Sequence, residues 1–208
     1  LLEQQISEDL LSIGAVSLRP TDPFTWTSGI KSPIYCDNRL TMSHPLIRDH
    51  IADGFASIIR ASYPATEVIA GTATAGIPHA AWVAQKLNLP MIYIRDKAKG
   101  HGKMNLIEGE LGRGQQVIVI EDLISTGGSS LKAAQAVNES GGHVLAVLAI
   151  FSYQFSKAEA AFNAHHIPLH TLSNYTALIN TALRIGRIHP EDVASLQAWR
   201  NNPETFYA

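Results

Sequence analysis

Apolar residues along this chain follow two rhythms. Four short runs predict buried parallel strands: EVIAG at 67–71, MIYI at 91–94, QVIVIED at 116–122 and HVLAVLAIF at 143–151. Each is rich in β-branched side chains and bounded by turn formers or helical periodicity. Between them, GIPHAAWVAQKL (76–87) and TGGSSLKAAQAVNESGG (126–142) have helical spacing, the second ending in glycines suited to a left-handed cap. Strand and helix alternating in this way predict an α/β fold: a doubly wound, mainly parallel sheet flanked by helices, with right-handed crossovers.

The chain before residue 67 has a different texture. An amphipathic amino-terminal helix is followed by VSLRPTDPFTWTSGIKSPIYCDNR and then by a helix from about Pro45 to Ala61. The middle piece mixes prolines, aromatics and polar residues, which suits an irregular or antiparallel subregion lying over a site. Residues 1–45 or so are therefore expected to contribute a small cap, or hood. HPEDVASLQAWR near the carboxyl end predicts a terminal helix with Pro190 in its first turn. With no repeat, low-complexity tract or linker, one domain over 1–208 is expected.

Composition narrows the function classes. The 208 residues are 46% hydrophobic and 16% charged, enough apolar surface for one folded core. A net charge of -2 gives no general attraction to nucleic acid or an anionic membrane, so any anion must be caught locally. Cys36 is the only cysteine, which excludes an internal disulfide and a cysteine-clustered zinc site. It also suits a reducing compartment, so a cytoplasmic location is expected. No apolar stretch approaches the ~20 residues that span a bilayer.

The strongest chemical signal is VIVIEDLISTGGSS (117–130). A buried strand delivers Glu121 and Asp122 side by side at its carboxyl end, where open α/β sheets place their ligands. The loop that follows opens a helix, whose first N–H groups lack internal partners and attract an anion. Gly127 and Gly128 allow close backbone approach, while Ser125, Thr126, Ser129 and Ser130 add hydroxyls. Carboxylates suit sugar hydroxyls and an N–H loop suits phosphate, so together they point to a ribose 5-phosphate. The competing interpretation is a helix cap made by Ser or Thr beside solvated acids.

EDLISTGGSS closely resembles the phosphoribosyl pyrophosphate signature of type I phosphoribosyltransferases. The resemblance implies that family's fold. It also implies that Glu121 and Asp122 hold the ribose hydroxyls while the following loop grips the 5′-phosphate. The whole contact run is then Glu121, Asp122, Leu123, Ile124, Ser125, Thr126, Gly127, Gly128 and Ser129. RDKAKGHGKMNLIEGEL (95–111) resembles the catalytic loop of the orotate-specific branch, matching it at Arg95, Lys99 and His101. That loop closes over the partner subunit's site, which implies a homodimer. Lys99, His101 and Asp122 are the implied catalytic residues.

TSGIKSP (27–33) resembles the same branch's amino-terminal element and nominates Lys31, with Tyr35 and Ser125, for orotate. GTATAGIP (71–78) resembles the pyrophosphate loop and nominates Thr72, Ala73 and Thr74. The chain departs from the family pattern at three places. Asp96 follows the arginine where some branches have lysine, Cys36 stands where a second aromatic is common, and FSYQF (151–155) contains no arginine to pair the orotate carboxylate. The implied reaction joins orotate to phosphoribosyl pyrophosphate, forming orotidine 5′-phosphate and pyrophosphate in pyrimidine (UMP) synthesis. Mg²⁺ would ride on substrate oxygens with no direct protein ligand. Two alternatives stay open: a type I transferase for another base, and a noncatalytic regulator that keeps the phosphoribosyl pyrophosphate site. His79, in a predicted helix, is assigned a structural role, and the adjacent His165 and His166 a surface or packing one.

Overall fold

In a computed structural model, the chain is described over residues 1–97 and 106–207. Helix α1 (Leu2–Ser12) leads into strands β1 (Val16–Leu18), β2 (Phe24–Thr25), β3 (Lys31–Ser32) and β4 (Ile34–Cys36). A 3-10 turn (Asn38–Ser43) and α2 (Pro45–Ser62) follow. The central part alternates β5 (Val68–Thr72), α3 (Gly76–Leu87), β6 (Met91–Ile94), β7 (Ile107–Glu108), β8 (Gln116–Ile124), α4 (Gly128–Glu139) and β9 (His143–Ser152). The chain ends with α5 (Ser156–Ala164), β10 (Leu169–Asn174), α6 (Tyr175–Arg184) and α7 (Asp192–Asn201).

The described residues form a six-stranded sheet in the order β10-β9-β8-β5-β6-β7. All its pairings are parallel except β6 with β7. Side chains alternate across β8 as a strand requires. Ile118 and Ile120 join a core layer with Ala80 and Val83 of α3, whereas Val117 and Val119 pack with Leu131, Ala134 and Val137 of α4. Helices thus cover both faces, as the alternating sequence predicted.

The four predicted strands and both predicted intervening helices are present with shifted ends. β8 runs two residues beyond Asp122, and the helix predicted over 126–142 is confined to Gly128–Glu139. Pro190 lies two residues before α7, in the preceding turn. No element is predicted over 153–188. Those residues form α5, β10 and α6; α6 (YTALINTALR) carries a clear helical apolar period, whereas the polar side chains of SKAEAAFNA and LHTLSN blur the other two.

Two features position the site. From β5 the chain proceeds outward to β6 and β7, and from β8 it proceeds the other way to β9 and β10. The order reverses between β5 and β8, so a crevice opens beyond their carboxyl ends, next to Thr72 and Glu121. The segment expected to be irregular or antiparallel forms two small antiparallel pairs, β1 with β4 and β2 with β3. It is tied to the crevice where Asn38 Nδ2 donates to the Asp122 carbonyl at 2.8 Å. α1 packs instead on α6 and β10.

Candidate active site

Glu121 and Asp122 stand at the crevice but face different layers. Glu121 continues the Val117/Val119 side, is 6% exposed, and accepts from Ser130 Oγ at 2.9 Å. The Asp122 amide also donates to Glu121 Oε1 at 3.0 Å. Asp122 lies on the side of the amino-terminal segment, close enough to help raise the Cys36 thiol well above its ordinary range, although burial contributes more. Burial first, and the neighbouring Asp122 charge second, push the Glu121 carboxyl up to about 7. Asp122 is also raised, chiefly by burial. Carboxyls raised by burial at the mouth of a crevice cluster at functional sites, which makes this pair a functional candidate.

The loop after β8 answers the capping alternative. α4 begins at an N-cap glycine, Gly127, with φ at +81° and no side-chain cap hydrogen bond. A side chain at Gly127 would be strained by that φ, and its Cβ would meet Phe162 Cε2 at 2.7 Å, so only glycine suits this turn. Thr126, Gly128 and Ser129 are exposed and Ser125 is half-buried, beside the uncapped amide end of α4. Ser130 departs from expectation. It is fully buried, and its hydroxyl is spent on Glu121 instead of facing a phosphate.

On the other side of the crevice, Thr72 is buried and its hydroxyl donates to the Ile120 carbonyl at 3.3 Å. The Ala73 amide is committed to the Ile94 carbonyl at 2.9 Å, and Thr74 is exposed. Gly76 sits where a Cβ would meet the Ile120 carbonyl at 2.5 Å, so glycine is needed for α3 to approach β8. Thr72 and Ala73 share a cavity of about 250 Å³ with Arg95, Ser129 and Lys132. Arg95 pairs with Glu108 at 3.2 Å. Lys132 was missed in the sequence because it lies past the loop, inside an ordinary helical pattern. Lys99 and His101 lie outside the described residues.

The residues nominated for the base are dispersed. Lys31 is exposed on β3, and its carbonyl accepts from the Trp199 indole N–H at 3.0 Å. Tyr35 is 46% exposed and its ring lies 5.7 Å from that of Phe24. Ser125 and Thr126 line a cavity of about 410 Å³ with Trp26, Phe155 and Arg200. Trp26 packs 5.2 Å from Tyr153 and 5.8 Å, edge-on, from Trp199. His79 has the structural role expected of it. It is 1% exposed, lies 3.3 Å from Thr41 Oγ1, and is lowered by burial to about 4, so it stays neutral. His165 and His166 are exposed, as a surface role implies.

A phosphoribosyl transferase domain matches residues 42–164. The orotate phosphoribosyltransferase of Lactiplantibacillus plantarum is 60% identical over 199 residues, covering 96% of this chain and 94% of that protein. The chain belongs to the orotate phosphoribosyltransferase family. Its Halalkalibacterium halodurans relative is 54% identical over 98% of this chain and 97% of that protein. The crystal structure of orotate phosphoribosyltransferase from Aeropyrum pernix superposes with a TM-score of 0.76 at 26% identity, covering 88% of this chain and 99% of that one. The transferase fold expected from EDLISTGGSS is therefore present, and membership makes the chain an enzyme of phosphoribosyl transfer. Among the described residues no helix is long and apolar enough to cross a membrane.

Proposed function

We propose that the chain transfers ribose 5-phosphate from phosphoribosyl pyrophosphate to orotate, forming orotidine 5′-phosphate and pyrophosphate in pyrimidine synthesis. The observation that carries this reading is the β8–α4 junction, where a buried acid pair adjoins an uncapped helix start lined by hydroxyls. Near-full-length relatives named for orotate support the choice of base. Asp122 and Glu121 address the ribose hydroxyls, residues 125–129 the 5′-phosphate, and Thr72, Ala73 and Thr74 with Arg95 the pyrophosphate. Lys31, Tyr35 and Ser125 contact orotate. Because the Ala73 amide is already bonded, that loop contributes through its other polar atoms.

No enzyme nucleophile is needed. Orotate N1 forms a bond to the anomeric carbon as the bond from that carbon to the pyrophosphate oxygen breaks, and pyrophosphate leaves with the electron pair. The protein's work is to orient both partners and balance charge. An ionised Asp122 opposes the positive charge that develops on the ribose, while Arg95, Lys99 and His101 oppose the negative charge on the leaving group. Among the described residues no His, Cys, Asp or Glu cluster forms a metal cage, and Glu121 and Asp122 face different layers, so Mg²⁺ would be held by substrate oxygens and water. Bound there, Mg²⁺ would neutralise pyrophosphate charge. The working unit is a homodimer in the cytoplasm in which each chain lends Lys99 and His101 to its partner, with residues of the 1–45 cap over the base.

The test is a direct assay of phosphoribosyl pyrophosphate consumption with orotate, uracil and hypoxanthine offered separately. Orotate should be preferred by orders of magnitude and should yield orotidine 5′-phosphate. No turnover of orotate, or a better rate with hypoxanthine, would overturn the assignment.

A further inference from the structure

Orotate is a planar anion, and a site for it needs a flat apolar wall with a cation that can meet its carboxylate. The run FSYQF after β9 provides no such cation. Its Tyr153 is buried in an aromatic cluster, stacked 5.4 Å from Phe155. On the reading proposed above Lys31 contacts orotate, but it is exposed on β3 and does not line the cavity beside the phosphate loop, so a cation that meets the carboxylate there has to come from elsewhere.

We propose that Arg200, from the last turn of α7, is the group that recognises the orotate carboxylate. Arg200 lines the 410 Å³ cavity that also holds Ser125 and Thr126 of the phosphate loop and the Trp26 indole. This volume suits a small planar ligand, and the cavity joins the sugar-phosphate side of the site to the element bearing Lys31. Arg200 is oriented by neutral oxygens. Its Nη1 donates to Thr176 Oγ1 at 2.8 Å and to Gln154 Oε1 at 3.4 Å. Gln154 Oε1 is itself fixed by the Thr176 amide at 3.0 Å and the Thr176 hydroxyl at 2.6 Å. Among the described residues no carboxylate pairs with Arg200, so its charge is not spent within the fold.

The preceding residue explains how a carboxyl-terminal helix reaches the base side. Trp199 is 0% exposed and ties α7 to the Lys31 carbonyl and to the Trp26 ring. The next side chain is thereby placed at the cavity wall. Two other charges line the cavity, Lys157 and Glu204. Glu204 opposes an anion, so the two cations outnumber it by one. Of these, the planar guanidinium matches a carboxylate by two parallel hydrogen bonds, whereas the exposed Lys157 ammonium is a point charge on a flexible stem.

The test uses the intact chain with Arg200→Gln, Arg200→Lys and Lys157→Gln. Wild-type turnover of orotate checks the base assignment separately. Given that turnover, Arg200→Gln should raise the KM for orotate roughly 10- to 100-fold and leave the KM for phosphoribosyl pyrophosphate within about twofold. It should also narrow the ratio of orotate to uracil turnover, because uracil has no carboxylate. Arg200→Lys should recover part of the loss. An unchanged KM for orotate overturns the proposal, as does an equal rise in both KM values or a larger orotate effect from Lys157→Gln. If Arg200→Gln does not fold, Arg200→Lys decides: a KM change confined to orotate supports the role, and wild-type constants overturn it.

Discussion

The two halves of the site are built on opposite principles. The half proposed for ribose phosphate is one continuous stretch, residues 121–129, in which burial works against the carboxyls it encloses. The half proposed for the base is assembled from the 26–31 hairpin, the 153–157 turn and the 199–205 segment, held together by Trp26, Tyr153, Phe155 and Trp199. In the first, chemistry costs stability. In the second, the groups that shape the cavity also belong to the apolar core. Substitutions should therefore separate activity from stability in one half and join them in the other.

The largest effect is expected from Asp122→Asn. Losing the negative charge beside the reacting sugar should lower kcat by about 10²- to 10³-fold, a typical loss for one electrostatic contact to a transition state. Folding should not be weakened, because the side chain is near in shape and burial disfavours the carboxylate that the change removes. Steady-state rates and urea melts of the same preparation check this. Parallel losses of activity and stability would dissolve the contrast between the halves.

That contrast also explains what could be read from the sequence. EDLISTGGSS was legible because its acids, glycines and hydroxyls are contiguous and their spacing alone sets the geometry. The central strands were legible because β8 is buried on both faces and its apolar run is unbroken. Arg200 and Trp199 carried no signal, since their partners Gln154 and Lys31 lie 46 and 168 positions away. Ser130 was misassigned for a related reason. It belongs to the same hydroxyl-rich run as Ser125 and Ser129, and only the helix phase of α4 turns it inward to Glu121.

A smaller effect, joined across both readouts, is expected from Trp199→Phe. The aromatic character is kept, but the smaller phenyl ring leaves a cavity in a fully buried position and the hydrogen bond to the Lys31 carbonyl is lost. About 2–3 kcal/mol of stability should go with the cavity and the lost bond. The KM for orotate should rise several-fold, because both the Lys31 hairpin and α7 lose their tie. A stability loss with wild-type kinetics would show that the aromatic cluster supports the fold alone.

The smallest effect has the opposite sign, and it comes from Glu121→Gln. The Glu121 carboxyl is raised from 4.5 to about 7 in the folded chain, so the folded state holds its proton more tightly than the unfolded chain does. Glu121 therefore favours folding fully below pH 4.5, and that contribution disappears as pH rises through about 7. Glutamine does not titrate; its one oxygen accepts from the Asp122 amide, and its NH2 group donates to the Ser130 hydroxyl, which turns to accept. The variant should thus gain stability relative to the parent between pH 5 and pH 8, by about 2 kcal/mol at the alkaline end. Urea unfolding at both pH values reads the difference. A pH-independent difference would mean that the buried carboxyl is not the source of the cost. A gain in stability accompanied by slower turnover would show that the ribose half keeps its charge for the reaction and against the fold.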